Sequence, residues 1–416
     1  MIVTPHFGSG HFESGNFEPG VGGVHVVNRS ARYRQGRRRA LAVWWREIDR
    51  VLLGIVAALM LLGVVGVAAG SAASARRLST AATRLPDLYF FWPHIVWLLL
   101  GTCVMLAVSM MQRETVRRFS ILLTAAMLVL LVLVPFVGVE VNGARRWINL
   151  GFSFQPSEFY KPACAITLAW LLSWKVRDPS LPVMSISAVL LAIGVVLLML
   201  QPDFGAAMLL CGMWIVLVIG AGLAVRYIAM AVGAIMAIVV AAYFFYDNAR
   251  HRIDAFIGGG EAYSQVDLAR RTLLSGGWTG RGLWMGERKN SLPEAHTDYI
   301  LSVIGEEFGL VAVALIVLLF GALVLRVLRR VRQAEDMFTM LAGTGLAALL
   351  GGQAFINIAV NLQLFPSKGM TLPLISYGGS SMIALCLTTG MMLVMTRRNP
   401  FLARDGFHAM QARPRR

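Results

Sequence analysis

Charge is scarce in this chain of 416 residues: 14% are Asp, Glu, Lys or Arg, against 57% hydrophobic. That balance excludes an ordinary soluble protein. Charged residues are missing altogether from 51–70, 89–111, 119–139, 181–200, 204–225, 227–246, 308–325, 337–360 and 370–395. Each run is long enough to cross about 30 Å of hydrocarbon. A tenth, 159–174, is interrupted only by Lys161. Helices buried in a soluble protein would need as much polar surface again to cover them. Cysteine is sparse too: Cys103, Cys164, Cys211 and Cys386 all lie in apolar runs without CxxC spacing. They read as small core residues, which excludes a disulfide framework. The predicted fold is all-α, a polytopic integral membrane protein of ten transmembrane helices.

What charge there is has a direction. The formal net charge of +16 would suggest nucleic acid in a soluble domain. Alternating the ten spans across a bilayer, with both termini on one side, puts 24 of the 38 basic residues on that side with nine of the 22 acids. By the positive-inside rule both termini are cytoplasmic and the number of spans is even. The basicity reports topology, and no nucleic-acid partner is expected.

Residues 1–36 form a predicted disordered cytoplasmic tail that opens on "HFGSGHFESGNFEPG", a Gly-rich five-residue repeat unable to bury a core. No apolar segment precedes Arg29, so the first span is expected to act as its own insertion signal. Residues 37–398 carry the ten spans, and 399–416 a basic cytoplasmic tail. Most loops are short, as packed antiparallel helices require. The exception is the large periplasmic loop between spans 7 and 8, at 247–298. Its Trp278 and Trp284, with Val266, Ala269, Leu273 and Leu274 at helical spacing, predict an ordered segment on the membrane surface.

Ionisable groups within spans are costly and need a partner or a wet cavity. Glu158 and Lys161 stand three apart at the outer end of the fourth span, where a helix makes them neighbours able to neutralise each other. They read both as a helix-end salt bridge and as the wall of a polar cavity. Arg145 and Arg146 precede Trp147 on the outer face, as an interfacial anchor or as guanidinium groups able to clasp phosphate. On the same side, "KGMTLPLISYGGSS" brings Lys368 and then Pro373, Gly378 and Gly379 into an apolar run with Ser376, Ser380 and Ser381. Such breaks are tolerated where a helix is buried in protein or lines a cavity. In "SLPEAHTDYILSVIGEEFG", residues 291–309, Glu294, His296 and Asp298 precede a span that carries Glu306 and Glu307. An isolated Asp298 would read as a helix N-cap. Beside the outer cations it suits proton abstraction from a hydroxyl whose substrate carries phosphate. A zinc site is the weaker reading, since there is no HExxH and only two ligands offer themselves.

Over about residues 45–398 the motifs "GARRWI", "FQPSEFYK", "QPDFG", "LPEAHTDYILSVIGEE" and "KGMTLPLISYGGSS" resemble those of the SEDS family (shape, elongation, division, sporulation). These are bacterial membrane glycosyltransferases that polymerise peptidoglycan from a lipid-linked precursor. The Lys-Gly-Met-Thr-Leu-Pro segment is closer to division members (FtsW) than to elongation members (RodA). The resemblance implies a ten-span fold with a cavity open to the periplasm, Asp298 as essential carboxylate, Glu158 with Lys161 as the family's pair, and Arg146 as its arginine. It implies lipid II as substrate, a class B penicillin-binding protein (FtsI-like transpeptidase) and other divisome membrane proteins as partners, and the inner membrane at the septum as location. Residues before about Arg37 have no counterpart.

The expected chemistry follows. Asp298 removes a proton from the acceptor sugar, and Arg146, Lys161 or Lys368, or a bound divalent cation (Mg or Mn), offsets the charge of a departing undecaprenyl diphosphate. The remaining candidates, Arg145, Glu158, Glu294, His296, Ser376 and Ser380, bind substrate or line the cavity. The rivals are a lipid II flippase, an elongation-type polymerase and a scaffold that only recruits a partner enzyme. A flippase needs polar groups reachable from both faces, whereas seven acids crowd the outer loop.

Overall fold

In the computed structural model, the described residues are 41–79, 83–141, 144–176, 178, 180–222, 264–366 and 369–398, with isolated positions between 229 and 254. Residues 1–46 form one compact unit and 47–416 another. Of the first unit, the described part is helical, with the Trp44 and Trp45 rings 5.9 Å apart. The expected disordered tail 1–36, the basic tail 399–416, most of the apolar run 227–246 and Lys368 lie outside the described residues.

The second unit is mostly helical. In chain order its helices are α1 Arg50–Leu78, α2 Phe91–Ser109, α3 Arg113–Val137, α4 Pro156–Ser173, α5 Val183–Leu200, α6 Phe204–Gly220, α7 Gln265–Ser275, α8 Ile300–Val331, α9 Met337–Asn361 and α10 Gly379–Met395. Among the described residues α1, α2, α3, α5, α8 and α9 are long and apolar enough to cross a membrane. The shorter α6 and α10 are apolar as well. With α4, helices occupy nine of the ten expected runs, and the protein is a multi-pass membrane protein.

Three expectations need correction. The fold is not purely helical: strands β1 Val139–Val141, β2 Ala144–Asn149 and β3 Ser153–Phe154 form a small antiparallel sheet between α3 and α4. The β-branched and aromatic residues of "RRWIN" favour this over a plain connector. The run 370–395 is not one helix; α10 starts only at Gly379, and residues 369–378 precede it as non-helical chain. The span expected at 308–325 is part of a helix running from Ile300 to Val331, interrupted at Gly309 (φ 77°, ψ 179°). The stretch after the break, 310–331, would measure about 33 Å at 1.5 Å per residue, enough to cross the hydrocarbon by itself.

Helices α4 and α9 are central. In α4, 14 of 18 residues are buried, with Tyr160, Ile166, Leu168 and Leu172 fully so. The apolar window of α9 is 61% buried, against 22–39% for the other five long helices. Small residues let α1 approach its neighbours closely, as in membrane helix packing. A Cβ on Gly63 would lie 2.8 Å from Cα of Ile375, so only glycine admits the 374–375 backbone there.

The two ends of the bundle differ in charge. At one end Asp49 caps α1, accepting from Val51 N (3.1 Å) and Leu52 N (3.2 Å). It also takes Arg326 (2.8 and 3.0 Å) and Arg330 (2.6 Å) from the C-terminal end of α8. Burial raises the Asp49 pKa, but the hydrogen bonds from Arg326 and Leu52 and the nearby guanidinium charges outweigh it and hold the carboxyl below its ordinary value. Arg397 donates to Ser109 O and, at 2.7 Å, to Met111 O, tying α2 to the chain after α10. At the opposite end lie the sequence motifs.

Candidate active site

Asp298 lies two residues before α8, in a turn that runs from Pro293 to Tyr299. It is half-buried and lines a small pocket with Tyr299, Asn357, Val360, Gly369 and Met370. A Cβ on Gly369 would sit 3.5 Å from Asp298 Oδ2, so the 369–372 segment faces the carboxylate.

The turn is held by its carbonyl groups. Tyr377 N donates to His296 O (3.0 Å) and Ser376 Oγ to Thr297 O (2.6 Å). Asn357 Nδ2 (2.8 Å) and Asn361 Nδ2 (3.2 Å) both donate to Asp298 O. Three successive carbonyls are thus fixed from α9 and from the chain before α10. Ser376 Oγ also accepts from Leu372 N (2.8 Å), so it folds its own loop while gripping the turn.

His296 and Glu294 do not line this pocket. The His296 ring stacks on Phe90 (centroids 4.1 Å apart), and its Nδ1 lies 2.7 Å from Ser74 Oγ on α1. Burial pushes its pKa down to about 4, against a smaller opposing effect of Glu294. Glu294 is exposed and accepts from Thr297 Oγ1 (2.7 Å).

Lys161 and Glu158 pair as their spacing implies, Nζ to Oε1 at 2.8 Å, with Lys161 nearly fully buried. Lys161 Nζ also donates to Gln353 Oε1 (3.1 Å), whose Nε2 donates to Thr371 O (3.1 Å). The salt bridge is therefore linked through Gln353 to the segment that faces Asp298. Ser380 Oγ accepts from Gln155 N (3.2 Å), which joins the starts of α10 and α4.

The two adjacent arginines point to opposite faces of β2, as neighbours in a strand must. Arg145 is exposed and donates to Glu140 Oε2 and to Pro135 O, both at 3.3 Å. Arg146 turns inward, donating to Gln201 O (3.1 Å) and Pro202 O, and so holds the α5–α6 turn. There Asp203 caps α6 through Ala206 N (3.2 Å).

Glu306 and Glu307 are wholly buried. Glu306 accepts from Ser275 Oγ (3.2 Å) and from the backbone N–H groups of Glu287 (3.1 Å), Arg288 (2.9 Å) and Lys289 (2.8 Å). Glu307 accepts from Trp284 N, Gly286 N (3.4 Å) and Lys289 Nζ. Together they fold the later half of the outer loop onto α8. The break at Gly309 completes the joint: Leu310 N and Val311 N donate to Gly277 O (2.9 Å) and Trp278 O (3.2 Å). A side chain on Gly309 would run into Trp278 O.

Gln353, Asn357, Asn361 and Lys289 are absent from the sequence-based candidates. The amides had a readable signal: they recur every four residues in an otherwise apolar run, a polar stripe on one helix face. Lys289 had none, being one cation among several in a loop.

The profile of the FtsW/RodA/SpoVE family, described as a cell cycle protein, matches residues 49–400. The chain belongs to this family. Among its relatives, the "Probable peptidoglycan glycosyltransferase FtsW" of Caulobacter vibrioides is 36% identical over 371 residues, covering 87% of this chain and 93% of that one. The protein of the same description in Geobacter sulfurreducens (strain DL-1 / KN400) is 38% identical over 374 residues, covering 85% and 97%. Two solved structures are similar to this FtsW/RodA/SpoVE chain. One is from work on structural coordination of polymerization and crosslinking by a peptidoglycan synthase complex, with TM-score 0.66, 31% identity and coverage of 84% and 97%. The other is the rod shape determining protein RodA of Thermus thermophilus, with TM-score 0.64, 29% identity and coverage of 84% and 96%.

Proposed function

We propose that this chain is a peptidoglycan glycosyltransferase of the division type, which polymerises lipid II into glycan strands. The observation that carries the reading is that Asp298 lines a pocket at the end of the bundle where every family motif meets, in a chain whose relatives across most of its length are described as FtsW glycosyltransferases. Their description also favours division over elongation.

Asp298 accepts the proton of the C4 hydroxyl of the acceptor's N-acetylglucosamine. That oxygen bonds to the anomeric carbon of the lipid-linked N-acetylmuramic acid as the bond to the diphosphate breaks, with inversion. Undecaprenyl diphosphate leaves with the electron pair. Lys161, Arg146 and Lys368 supply positive charge, and helices α4, α6, α8 and α10 all begin at this end, so their N-terminal dipoles favour an anion there. Among the described residues no group of three or more His, Cys, Asp or Glu side chains is placed to hold a metal ion; a divalent cation carried by the diphosphate would add to the same positive charge.

The wider reading is a ten-span protein of the bacterial inner membrane with both termini cytoplasmic, residues 37–398 as the catalytic domain, and action at the septum. The arginine-rich end supports that orientation. A class B penicillin-binding protein is the proposed partner, supported by the similarity to a complex that coordinates polymerization with crosslinking. The test is polymerisation of lipid-linked disaccharide by the purified chain with that partner. Asp298→Ala is expected to abolish product, and full activity in that variant would sink the assignment.

A further inference from the structure

Gln353, Asn357 and Asn361 stand at four-residue intervals on α9, and all three are buried, at 3%, 2% and 0% exposure. Amides are costly in an apolar helix unless each polar atom finds a partner. What they partner is two non-helical segments and one cation. Asn357 Nδ2 forks between Asp298 O (2.8 Å) and Met370 O (2.6 Å). Asn361 Nδ2 reaches Asp298 O, Asn357 O (2.9 Å) and Asn357 Oδ1 (3.3 Å), while its Oδ1 accepts from Ser302 Oγ (2.7 Å). Gln353 bridges Lys161 Nζ and Thr371 O. Both segments contain a non-glycine residue in the left-handed region, Glu294 (φ 53°) and Leu374 (φ 64°). Backbone in that region persists where its surroundings over-determine it.

We propose that Asn357 and Gln353 are positioning residues for glycosyl transfer: from one rigid helix they fix the Asp298 turn and the Lys161 ammonium to the same segment, 369–372. The inference rests on Asp298 as the base. The donor atoms of Asn357 are spent on two carbonyls and its Oδ1 lies 3.3 Å from Asn361 Nδ2, so its hydrogen bonds act through the two segments it holds. A base and a cation tied to one segment keep a fixed separation, and small misplacement of a catalytic group is costly in rate. Lys161 and Asp298 belong to segments far apart in the chain, and among the hydrogen bonds of the site it is Gln353 that joins the Lys161 ammonium to the segment Asn357 ties to the Asp298 turn.

The experiment uses the full chain with its transpeptidase partner, polymerising lipid-linked disaccharide, with folding followed by thermal unfolding. Asn357→Leu matches the volume and removes the donors. It is expected to lower kcat about tenfold or more with KM within about twofold, since positioning is lost in the transition state rather than in binding. Asn357→Gln keeps the amide and is expected to recover part of the loss. Gln353→Met is expected to lower kcat in the same way, about threefold or more, by freeing Lys161. A folded Asn357→Leu with parental kcat, or with a change confined to KM, overturns the inference. If Asp298→Ala is inactive in the same series, the base assignment stands regardless. If Asp298→Ala is active, the base assignment falls and takes this inference with it. Should Asn357→Leu fail to fold, Asn357→Ala, which also removes both donors, replaces it, and parental kcat in that variant is equally decisive against the proposal.

Discussion

Asp298 and Glu306 stand eight residues apart in one stretch of sequence, yet their surroundings differ in kind. Glu306 and its neighbour Glu307 are sealed: their oxygens receive a hydroxyl, five backbone N–H groups and the Lys289 ammonium. Asp298 is half-buried, and its main-chain carbonyl takes the clamps while its side chain borders a pocket. In the first case the carboxylate is the structure. In the second it is the main chain that carries the clamps from α9, while the carboxylate borders the pocket. Substitutions at the two sites should therefore separate stability from activity.

The largest effect on stability is expected at Glu307. Glu307→Leu leaves Lys289, 3% exposed, without its counter-charge. Removing one partner of a buried pair costs roughly 3–5 kcal/mol. The loss should show as a lowered thermal unfolding midpoint and as proteolysis within 276–289, the loop that Glu306 and Glu307 hold. The double variant Lys289→Met, Glu307→Leu should regain the part due to the uncompensated charge, but not the part due to the N–H groups of Trp284 and Gly286 that Glu307 accepts. A single variant as stable as the parent would erase the contrast.

A second effect is set by pH. His296 packs between Phe90 and Ser74 at the back of the Asp298 turn, and burial lowers its pKa from 6.5 to about 4. The folded state then prefers the neutral ring, whereas the unfolded chain takes up a proton below its ordinary value. Stability from this group is complete above pH 6.5 and is lost as pH falls toward 4. The full loss is at most about 3 kcal/mol. Thermal unfolding across that window should slope more steeply for the parent than for His296→Asn, and equal slopes would remove His296 from the account.

A smaller stability effect with total loss of function is expected at Asp298 itself. Asp298→Asn preserves the main-chain carbonyl that Asn357 and Asn361 grip, so the loss of stability should be well below that of Glu307→Leu, on the order of 1 kcal/mol, the centre of the range for single substitutions. Polymerisation should nevertheless vanish, since an amide accepts no proton at neutral pH. Residual turnover near the parental rate would return the acid to the role of a helix cap.

How much of this was legible follows from range in sequence. The apolar runs reported the helices because a bilayer imposes a length and a composition on each span separately. The Glu158–Lys161 pair was legible because both partners lie within one helical turn. The clamps were not: Asn357 meets Asp298 across 59 residues and Gln353 meets Lys161 across 192, and no local pattern carries a contact over such distances. His296 shows the converse, a neighbour in sequence whose ring packs elsewhere. Proximity in sequence to Asp298 suggested shared chemistry, but alternating directions in the turn send its ring toward α1 and α2. The break at Gly309 was hidden in an unbroken apolar run, because hydropathy reports burial and not backbone direction.

The smallest expected effect sharpens the comparison on a second pair of neighbours. Arg145 and Arg146 are adjacent in β2, but the Arg145–Glu140 bridge has side chains 51% and 57% exposed, where solvent screens it. Arg145→Ala should change stability by no more than about 0.5 kcal/mol. Arg146→Ala removes the donors to Gln201 O and Pro202 O in a partly buried site and should cost roughly 1–3 kcal/mol through unsatisfied carbonyls. Activity then assigns their roles independently of folding. A rise in KM for Arg145→Ala at unchanged stability would make the exposed guanidinium a docking point for the diphosphate. Parental kinetics would leave it an interfacial anchor, and Arg146 would act through the α5–α6 turn it holds.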